Sequence, residues 1–168
     1  MNGRCVFGAQ YKQEDKEIML YEEKVIETIP VGPLGLIPLK SCTELGNKVD
    51  RYLVDWRRER ESEHKSTIAF TGYQRDSYII NASTPRFGSG EGKGIIEESV
   101  RGDDLYIMVD VCNYSLTYSL FGMTNHMSPD DHFQDLKRII AAAAGKARRI
   151  NVIMPFLYES RQHKRSGR

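Results

Sequence analysis

Residues 104–111, DLYIMVDV, form a nearly continuous apolar run. Such a run is typical of a strand that is covered on both faces, as in a parallel sheet. A second apolar run, RINVIMP at residues 149–155, predicts a strand from Ile150 to Met154 that ends at Pro155. The segment between the two runs predicts one helix. A strand, a helix and a strand in this order predict a parallel crossover unit, so the expected fold class is α/β.

The helix between these strands has clear start and stop signals. Ser128 is the predicted N-cap and Pro129 the first helical residue. Asp130 and Asp131 fall in the first turn, where the helix dipole favours acidic side chains. Gly145 can end the helix in the left-handed conformation. The stripe expected to face the core consists of Phe133, Leu136, Ile140 and Ala144.

Upstream residues predict a second helix and more strands. A short strand is expected from Leu36 to Lys40, and Ser41 and Glu44 have the spacing of a capping box at the start of the helix that follows. Two further strands are expected in STIAFTG, residues 66–72, and SYIINAS, residues 77–83. The apolar face predicted for the helix consists of Leu45, Val49, Tyr52, Leu53 and Trp56.

The overall composition excludes several classes of partner. Lys and Arg number 24 against 23 Asp and Glu, so the chain has no global charge that would attract nucleic acid or an acidic membrane. No stretch approaches the roughly 18 apolar residues of a membrane span, and the N-terminus lacks the apolar run of a signal peptide. Cys5, Cys42 and Cys112 are too widely spaced for a zinc site or a disulfide framework, and we expect reduced, buried thiols. These features predict a cytoplasmic protein without nucleic-acid or membrane partners.

RFGSGEGKGIIEESVRG, residues 86–102, contains four glycines within seven residues. A phosphate-binding glycine loop must leave a strand and enter a helix, because the helix N-terminus holds the anion. Here the glycines run into IIEESV, which has β character, and a turn is expected at residues 101–104. We therefore reject a phosphate loop and predict a mobile flap between two strands, or a hairpin tip without function.

MPFLYESRQHKRSGR, residues 154–168, leaves the carboxyl end of the last predicted strand, where open α/β sheets bind ligands. Arg161 can grip a phosphate through two hydrogen bonds, and Gln162 can both donate and accept. A solvated basic tail is the alternative, and His163 is either a ligand or merely exposed. The cations that would attract phosphate are Arg161, Lys164, Arg165 and Arg168.

Both segments resemble one family, ribose-phosphate pyrophosphokinase. RFGSGEGKGIIEESVRGDDLYIMVD, residues 86–110, is similar to that family's Arg-Phe-Ser-Asp-Gly-Glu flap, its Glu-Glu-Ser-Val-Arg-Gly segment and its third strand. INVIMPFLYESRQHKR, residues 150–165, is similar to its strand, Pro and aromatic, Ser/Ala-Arg-Gln and basic pair. The resemblance extends from Pro85 to Arg165 and is looser over residues 34–56.

The resemblance implies a phosphoribosyltransferase-like α/β fold, with a mostly parallel sheet flanked by helices and a flap hairpin. Residues 34–168 would form the N-terminal domain, after a charged extension at residues 1–33. The family's enzymes transfer pyrophosphate from ATP to ribose 5-phosphate, making phosphoribosyl pyrophosphate for nucleotide biosynthesis. The resemblance also implies Mg²⁺, held mostly by residues outside this chain, and a homo-oligomer in which dimers build to a hexamer.

The resemblance further assigns substrate-binding residues, but no catalytic residue. Phe87 and Glu91 match flap residues that contact the adenine of ATP, typically ATP bound by a neighbouring subunit. Arg161 and Gln162 match residues that hold ATP. Ser89 replaces an aspartate of the flap, and the acid that usually follows Arg-Gln is a histidine here. The contacts to adenine and metal at these two positions are therefore in question.

Other departures bear on activity. Residues 57–82 form a longer connection than is usual in the family, and residues 112–127 also form an extended loop. The resemblance includes no counterpart of the family's acidic Gly-Gly loop or of its metal-binding Asp-x-His segment, both of which belong to a C-terminal half. We expect this chain to be the N-terminal half of a larger, divergent member and inactive alone. The alternative is a non-catalytic regulatory homologue.

Overall fold

The structure, a computed structural model, describes residues 30–63, 73–161 and 164. The chain divides into two units after Pro30, and every described helix and strand belongs to the second unit, Val31–Arg168. The strands are β1 (Leu34–Pro38), β2 (Ala82–Ser83), β3 (Ile95–Ile96), β4 (Asp104–Met108), β5 (Thr117–Leu120), β6 (Met123–His126) and β7 (Arg149–Ile153). The helices are α1 (Thr43–Ser62), which a 3-10 turn at Lys40–Cys42 precedes, and α2 (Pro129–Ala143).

The main sheet is parallel and has the order β1-β4-β7. Leu36 pairs with Tyr106, and Ile107 pairs with Val152. A parallel bridge from Leu36 to Ile79 extends the pairing beyond β1. The strand, helix and strand predicted from β4 to β7 therefore form one parallel crossover unit. This arrangement confirms an α/β fold with a parallel sheet flanked by helices.

The central strand β4 is covered on both faces, which explains its continuous apolar sequence. Leu105 and Ile107 point to one side and pack in a cluster with residues of α2. Met108 points to the other side, where Val54 of α1 and Tyr78 complete a second cluster. Successive side chains of a strand alternate between faces, so a single strand supplies both cores. Each fully buried side chain of this size contributes about 1.5–3 kcal/mol to stability.

The predicted start of α2 is confirmed. The Asp131 backbone N–H donates to Ser128 Oγ at 3.2 Å, and the Ser128 N–H donates to Asp131 Oδ2 at 2.9 Å, which completes a capping box. Gly145 has φ +75°, as a left-handed cap requires. The predicted core stripe is confirmed except at Ala144, which is exposed. Leu136 is buried, and Phe133 and Ile140 are partly buried and pack against the core cluster. Ile139 and Ala143, which were not predicted, are also buried in this cluster.

The capping box predicted for α1 is wrong. Ser41 lies in the preceding 3-10 turn, and its hydroxyl accepts the Asp110 backbone N–H at 3.0 Å. Cys42 occupies the N-cap position without a side-chain hydrogen bond. Glu44 bonds to Lys48 at 2.7 Å on the helix surface. The serine therefore fastens the helix start to the end of the central strand.

The apolar face predicted for α1 is also largely wrong, since Leu45, Tyr52 and Trp56 are exposed. The buried positions are Gly46, Asp50 and Val54, while Val49 and Leu53 pack at the cluster edge. A Cβ at residue 46 would collide with the ring of Pro38, so glycine lets the helix lie close to β1. The Asp50 carboxylate accepts the Tyr78 N–H at 2.6 Å and the Ser77 hydroxyl at 2.9 Å. These polar contacts set the orientation of α1, and the spacing of apolar residues in the sequence does not reveal them.

Strand boundaries differ from the predictions, most of all at residues 77–83, where only Ala82–Ser83 forms a strand and Ile79 forms an isolated bridge. β1 begins and ends two residues earlier than expected, and β7 begins and ends one residue earlier. Residues 66–72 and the charged residues 1–29 lie outside the described residues. The hairpin of β5 and β6 within the extended loop was not predicted.

Two further expectations concern the thiols and the membrane. Cys42 is buried as expected, but Cys112 is exposed, because it lies in a surface turn after the buried Val111. The expectation of buried thiols is therefore wrong for Cys112. In the described part of the chain, no helix has the length and apolar character needed to cross a membrane.

Candidate functional site

The glycine-rich flap, defined here as residues 84–94, connects two antiparallel strands. β2 pairs with β3 through Ala82 with Ile96 and Ser83 with Ile95. Farther along, an antiparallel bridge joins Arg86 to Gly92. The prediction of a loop between two strands is confirmed, and no helix follows the glycines that could hold a phosphate at its N-terminus.

The tip of the flap brings two predicted ligand residues together. The Phe87 N–H donates to the Glu91 carbonyl at 2.7 Å, and the Gly90 N–H donates to the Phe87 carbonyl at 2.9 Å. Gly90 has φ +90°, a conformation that glycine adopts without strain. This tight turn closes the separation of four residues between Phe87 and Glu91. The backbones of Phe87 and Glu91 are therefore paired across one exposed turn.

The chemistry of this turn suits a flat, polar ring. Phe87 is 54% exposed, so part of its ring is accessible for stacking. The Glu91 carboxylate accepts the Ser89 hydroxyl at 2.9 Å and retains further acceptor positions. A base with an exocyclic amine can stack on the ring and donate to the carboxylate. Ser89 orients the carboxylate and carries no charge of its own.

A charge network fastens the base of the flap to α2. The Arg86 guanidinium lies 3.3 Å from Asp135 and 3.6 Å from Asp131, and the Arg86 side chain is only 10% exposed. Thr84 Oγ1 donates to Asp135 at 2.9 Å, and Arg138 donates to the same carboxylate at 2.6 Å. Since a buried charge that loses its partner is costly, this network holds the flap firmly at its root.

This network was not predicted from the sequence. The charged residues Asp131, Asp135 and Arg138 are separated by four and three positions, so they lie on one side of a helix. That spacing is a detectable signal for a charged stripe. The cation that completes the network, Arg86, is 49 residues from Asp135 in the sequence, so no local pattern connects them.

The flap glycines also allow close packing on α2. A Cβ at residue 94 would collide with the Arg138 backbone carbonyl oxygen, and a Cβ at residue 92 would lie 2.6 Å from the Arg138 guanidinium. Gly88 differs, since a Cβ there would meet nothing within 4 Å. Gly92 and Gly94 therefore allow the flap to approach α2 closely.

The segment that leads from β7 to Arg161 is fixed to α2 by Tyr158. Its ring stacks on Phe133 with centroids 4.2 Å apart and an interplanar angle of 16°. Its hydroxyl donates to Asp130 at 2.5 Å, and this hydrogen bond raises the pKa of Tyr158 to about 12. Arg161 follows three residues later and is exposed. Gln162 and His163 lie outside the described residues, as do Arg165 and Arg168.

The first turns of α2 therefore organise both candidate segments. The flap is attached through Asp131 and Asp135, and the segment before Arg161 through Asp130 and Phe133. Successive helix residues are rotated by about 100°, so these two pairs lie on different sides of one helix. A movement of this helix end would displace both segments together.

Among the described residues, no group of three His, Cys, Asp or Glu side chains is arranged to hold a metal ion. The acidic residues of α2 already have partners, since Asp130 binds Tyr158, and Asp131 and Asp135 bind Arg86.

A family model for the N-terminal domain of ribose phosphate pyrophosphokinase matches residues 34–168. The match begins at the first residue of β1 and includes the parallel sheet, both helices and the flap. No curated protein matches the chain.

Proposed function

Because the chain belongs to the ribose phosphate pyrophosphokinase family through its N-terminal domain, we propose that residues 34–168 bind ATP and assemble with other copies. Residues 1–33 would be an extension to this domain. In the complete cytoplasmic enzyme, the β,γ-pyrophosphoryl group of ATP moves to the 1-hydroxyl of ribose 5-phosphate. The products are phosphoribosyl pyrophosphate and AMP. The pairing of Phe87 with Glu91 on one exposed turn is the observation that carries this proposal.

In this proposal the flap recognises the adenine base of ATP. The base stacks on Phe87, which covers an exposed aromatic face, and its exocyclic amine donates to Glu91. The Ser89 hydroxyl already donates to the Glu91 carboxylate and so limits its rotation. A flap prepared in this way does not have to fold around the base when ATP arrives, so binding loses less conformational entropy.

Arg161 and Gln162 hold the phosphates of ATP in this proposal. A guanidinium can form two parallel hydrogen bonds with phosphate oxygens, a geometry that lysine cannot reproduce. Tyr158, fixed to α2 by stacking and a hydrogen bond, anchors the segment that carries Arg161.

We further propose that two copies of the chain share each ATP site. The flap tip of one copy contributes Phe87 and Glu91, and the partner copy contributes Arg161 and Gln162. Support comes from the exposure of Phe87, which leaves its ring free for a group from outside its own chain. Symmetric dimers use the same surface twice, so each dimer contains two equivalent sites.

A second candidate function is nucleotide binding without turnover, as in a regulatory homologue. Ser89 favours it, because a neutral hydroxyl replaces the aspartate that the family has in its flap. In either case we propose that the 168-residue chain alone does not make phosphoribosyl pyrophosphate, because ribose 5-phosphate and Mg²⁺ would be held by a C-terminal half. The test is to measure AMP release from ATP with this chain alone, with and without ribose 5-phosphate. AMP release that depends on ribose 5-phosphate would contradict the proposal that a C-terminal half is required.

The test of the ATP site is calorimetric titration of the chain with ATP. Arg161→Ala should weaken binding by about 2–4 kcal/mol, and Arg161→Lys should not restore it. Phe87→Ala should also weaken binding, because the stacking surface is lost. Unchanged ATP affinity in both alanine variants would assign Arg161 to a solvated tail and Phe87 to a hairpin without a ligand.

Mixing the two variants tests whether the site is shared. After random exchange of equal amounts of Phe87→Ala and Arg161→Ala, half of the dimers are mixed, and each mixed dimer has one intact site, so about one quarter of all sites regain full affinity. Native mass spectrometry verifies the exchange. The matched control is Phe121→Ala mixed with Arg161→Ala, because Phe121 is exposed and outside the proposed site. Absence of high-affinity sites despite verified mixed dimers would place the flap on the ATP of its own chain.

A further inference from the structure

The hairpin of β5 and β6 forms a separate two-stranded sheet. It occupies the loop between β4 and α2. Its root is held at several points. The Met127 N–H donates to the Leu116 carbonyl at 2.8 Å, and His132 of α2 bonds to the Asn113 carbonyl at 2.8 Å. The hairpin therefore projects from a fixed base beside the start of α2.

One face of β5 is turned towards the flap. Tyr118 and Leu120 are half-buried, whereas Thr117 and Ser119 are exposed, so the strand has an inner and an outer face. The Arg86 guanidinium lies over the Tyr118 ring, 5.1 Å from its centroid. Leu120 lies against the turn at the flap tip, since a Cβ at Gly90 would be 3.5 Å from its Cδ2.

These contacts place Arg86 between two supports. Asp131 and Asp135 bind its guanidinium from α2, and Tyr118 covers it from the hairpin. The attraction between a cation and an aromatic ring is stronger when water is excluded, and the Arg86 side chain is almost fully buried. The hairpin therefore restrains the flap at its root through Tyr118 and at its tip through Leu120.

We propose that the β5–β6 hairpin is a positioning element that keeps the flap turn closed, with Tyr118 and Leu120 as the responsible residues. A segment with four glycines loses much conformational entropy when it becomes ordered. Contacts with the hairpin order the flap before ATP binds, and their favourable energy offsets this loss of entropy. The consequence for ATP affinity rests on the adenine role proposed for the flap, whereas the consequence for flap order does not.

Hydrogen–deuterium exchange of the 168-residue chain without nucleotide measures flap order directly. The reporters are the Phe87 and Gly90 amides, whose hydrogen bonds close the turn. Tyr118→Ala and Leu120→Ala should each increase exchange of the flap by about three- to tenfold, because local opening becomes easier. Tyr118→Phe should keep the parent rate, since the ring that covers Arg86 is retained.

Matched controls come from the same hairpin. Phe121 and Met123 are exposed at its tip, so Phe121→Ala and Met123→Ala should leave flap exchange unchanged. Peptides from α2 report on overall folding, and their exchange should be the same in all variants. An unfolded Tyr118→Ala variant would be evident there, and Leu120→Ala would then supply the test.

Calorimetric titration with ATP separates this inference from the proposed function. Faster flap exchange together with ATP affinity reduced about three- to tenfold supports both. Faster exchange with unchanged ATP affinity supports the hairpin contact and contradicts the adenine role of the flap. Unchanged flap exchange in both Tyr118→Ala and Leu120→Ala would overturn the positioning role of the hairpin, whatever the ATP affinity.

Discussion

Substitution of Gly94 by alanine should destabilise the protein by displacing the flap from α2. The added Cβ would collide with the Arg138 carbonyl oxygen and would lie 2.6 Å from the carbonyl carbon. Both atoms belong to the helix backbone, so no side-chain rotation can relieve the collision. Either the hairpin moves away from the helix or the helix bends, and both movements disturb the pairing of Arg86 with Asp135.

The expected magnitude combines two opposing effects. Overpacking at a well-packed site costs about 1–3 kcal/mol. Replacing glycine by alanine restricts the unfolded chain and returns about 0.4–1 kcal/mol where the native backbone is compatible. Gly94 is not among the residues with positive φ, so alanine meets no backbone strain there. The net loss in the free energy of unfolding should be about 1–2 kcal/mol.

Urea denaturation followed by circular dichroism measures this loss, and two other flap glycines calibrate it. Gly88→Ala should be neutral or slightly stabilising, since a Cβ there meets nothing within 4 Å. Gly92→Ala should give an intermediate loss, because its Cβ meets the Arg138 guanidinium, which can swing aside. If Gly94→Ala unfolds at the same urea concentration as Gly88→Ala, the proposed packing of the flap on α2 is refuted.

Three further predictions concern ionisable side chains. Arg149 lowers the pKa of Asp104 by hydrogen bonding. The pair therefore stabilises the fold above a pH of about 3.9 and loses this effect as the pH falls. The loss of stability in Asp104→Asn, measured by urea unfolding, should therefore be smaller at low pH. Burial raises the pKa of Asp103, so this residue contributes most to the stability of the fold at low pH, and its contribution declines as the pH rises through the folded pKa. The stability of Asp103→Asn relative to the parent should therefore increase as the pH rises. Burial raises the pKa of Cys42 to about 11, whereas Cys112 is exposed. Iodoacetamide at pH 8 followed by peptide mass spectrometry should therefore find Cys112 alkylated before Cys42.

Much of the candidate site was visible in the sequence because its signals are local. The flap motif places Phe87 and Glu91 four residues apart, and the turn that joins them needs only the intervening glycines. The role of Arg86 was not visible, since its partners Asp131 and Asp135 lie more than forty residues away. The motif predicts which residues contact a ligand, but it does not identify the residues that hold the motif in place.

The fold shows the same division. The α/β class and the start of α2 follow from the sequence, because continuous apolar strands and a capping box at Ser128 act over a few residues. The orientation of α1 does not follow from it. That helix presents Tyr52 and Trp56 to solvent and buries Asp50, since the Tyr78 N–H, 28 residues away, needs an acceptor. Hydrogen bonds and close backbone contacts between distant segments outweigh apolar periodicity here, and they exist only once the chain has folded.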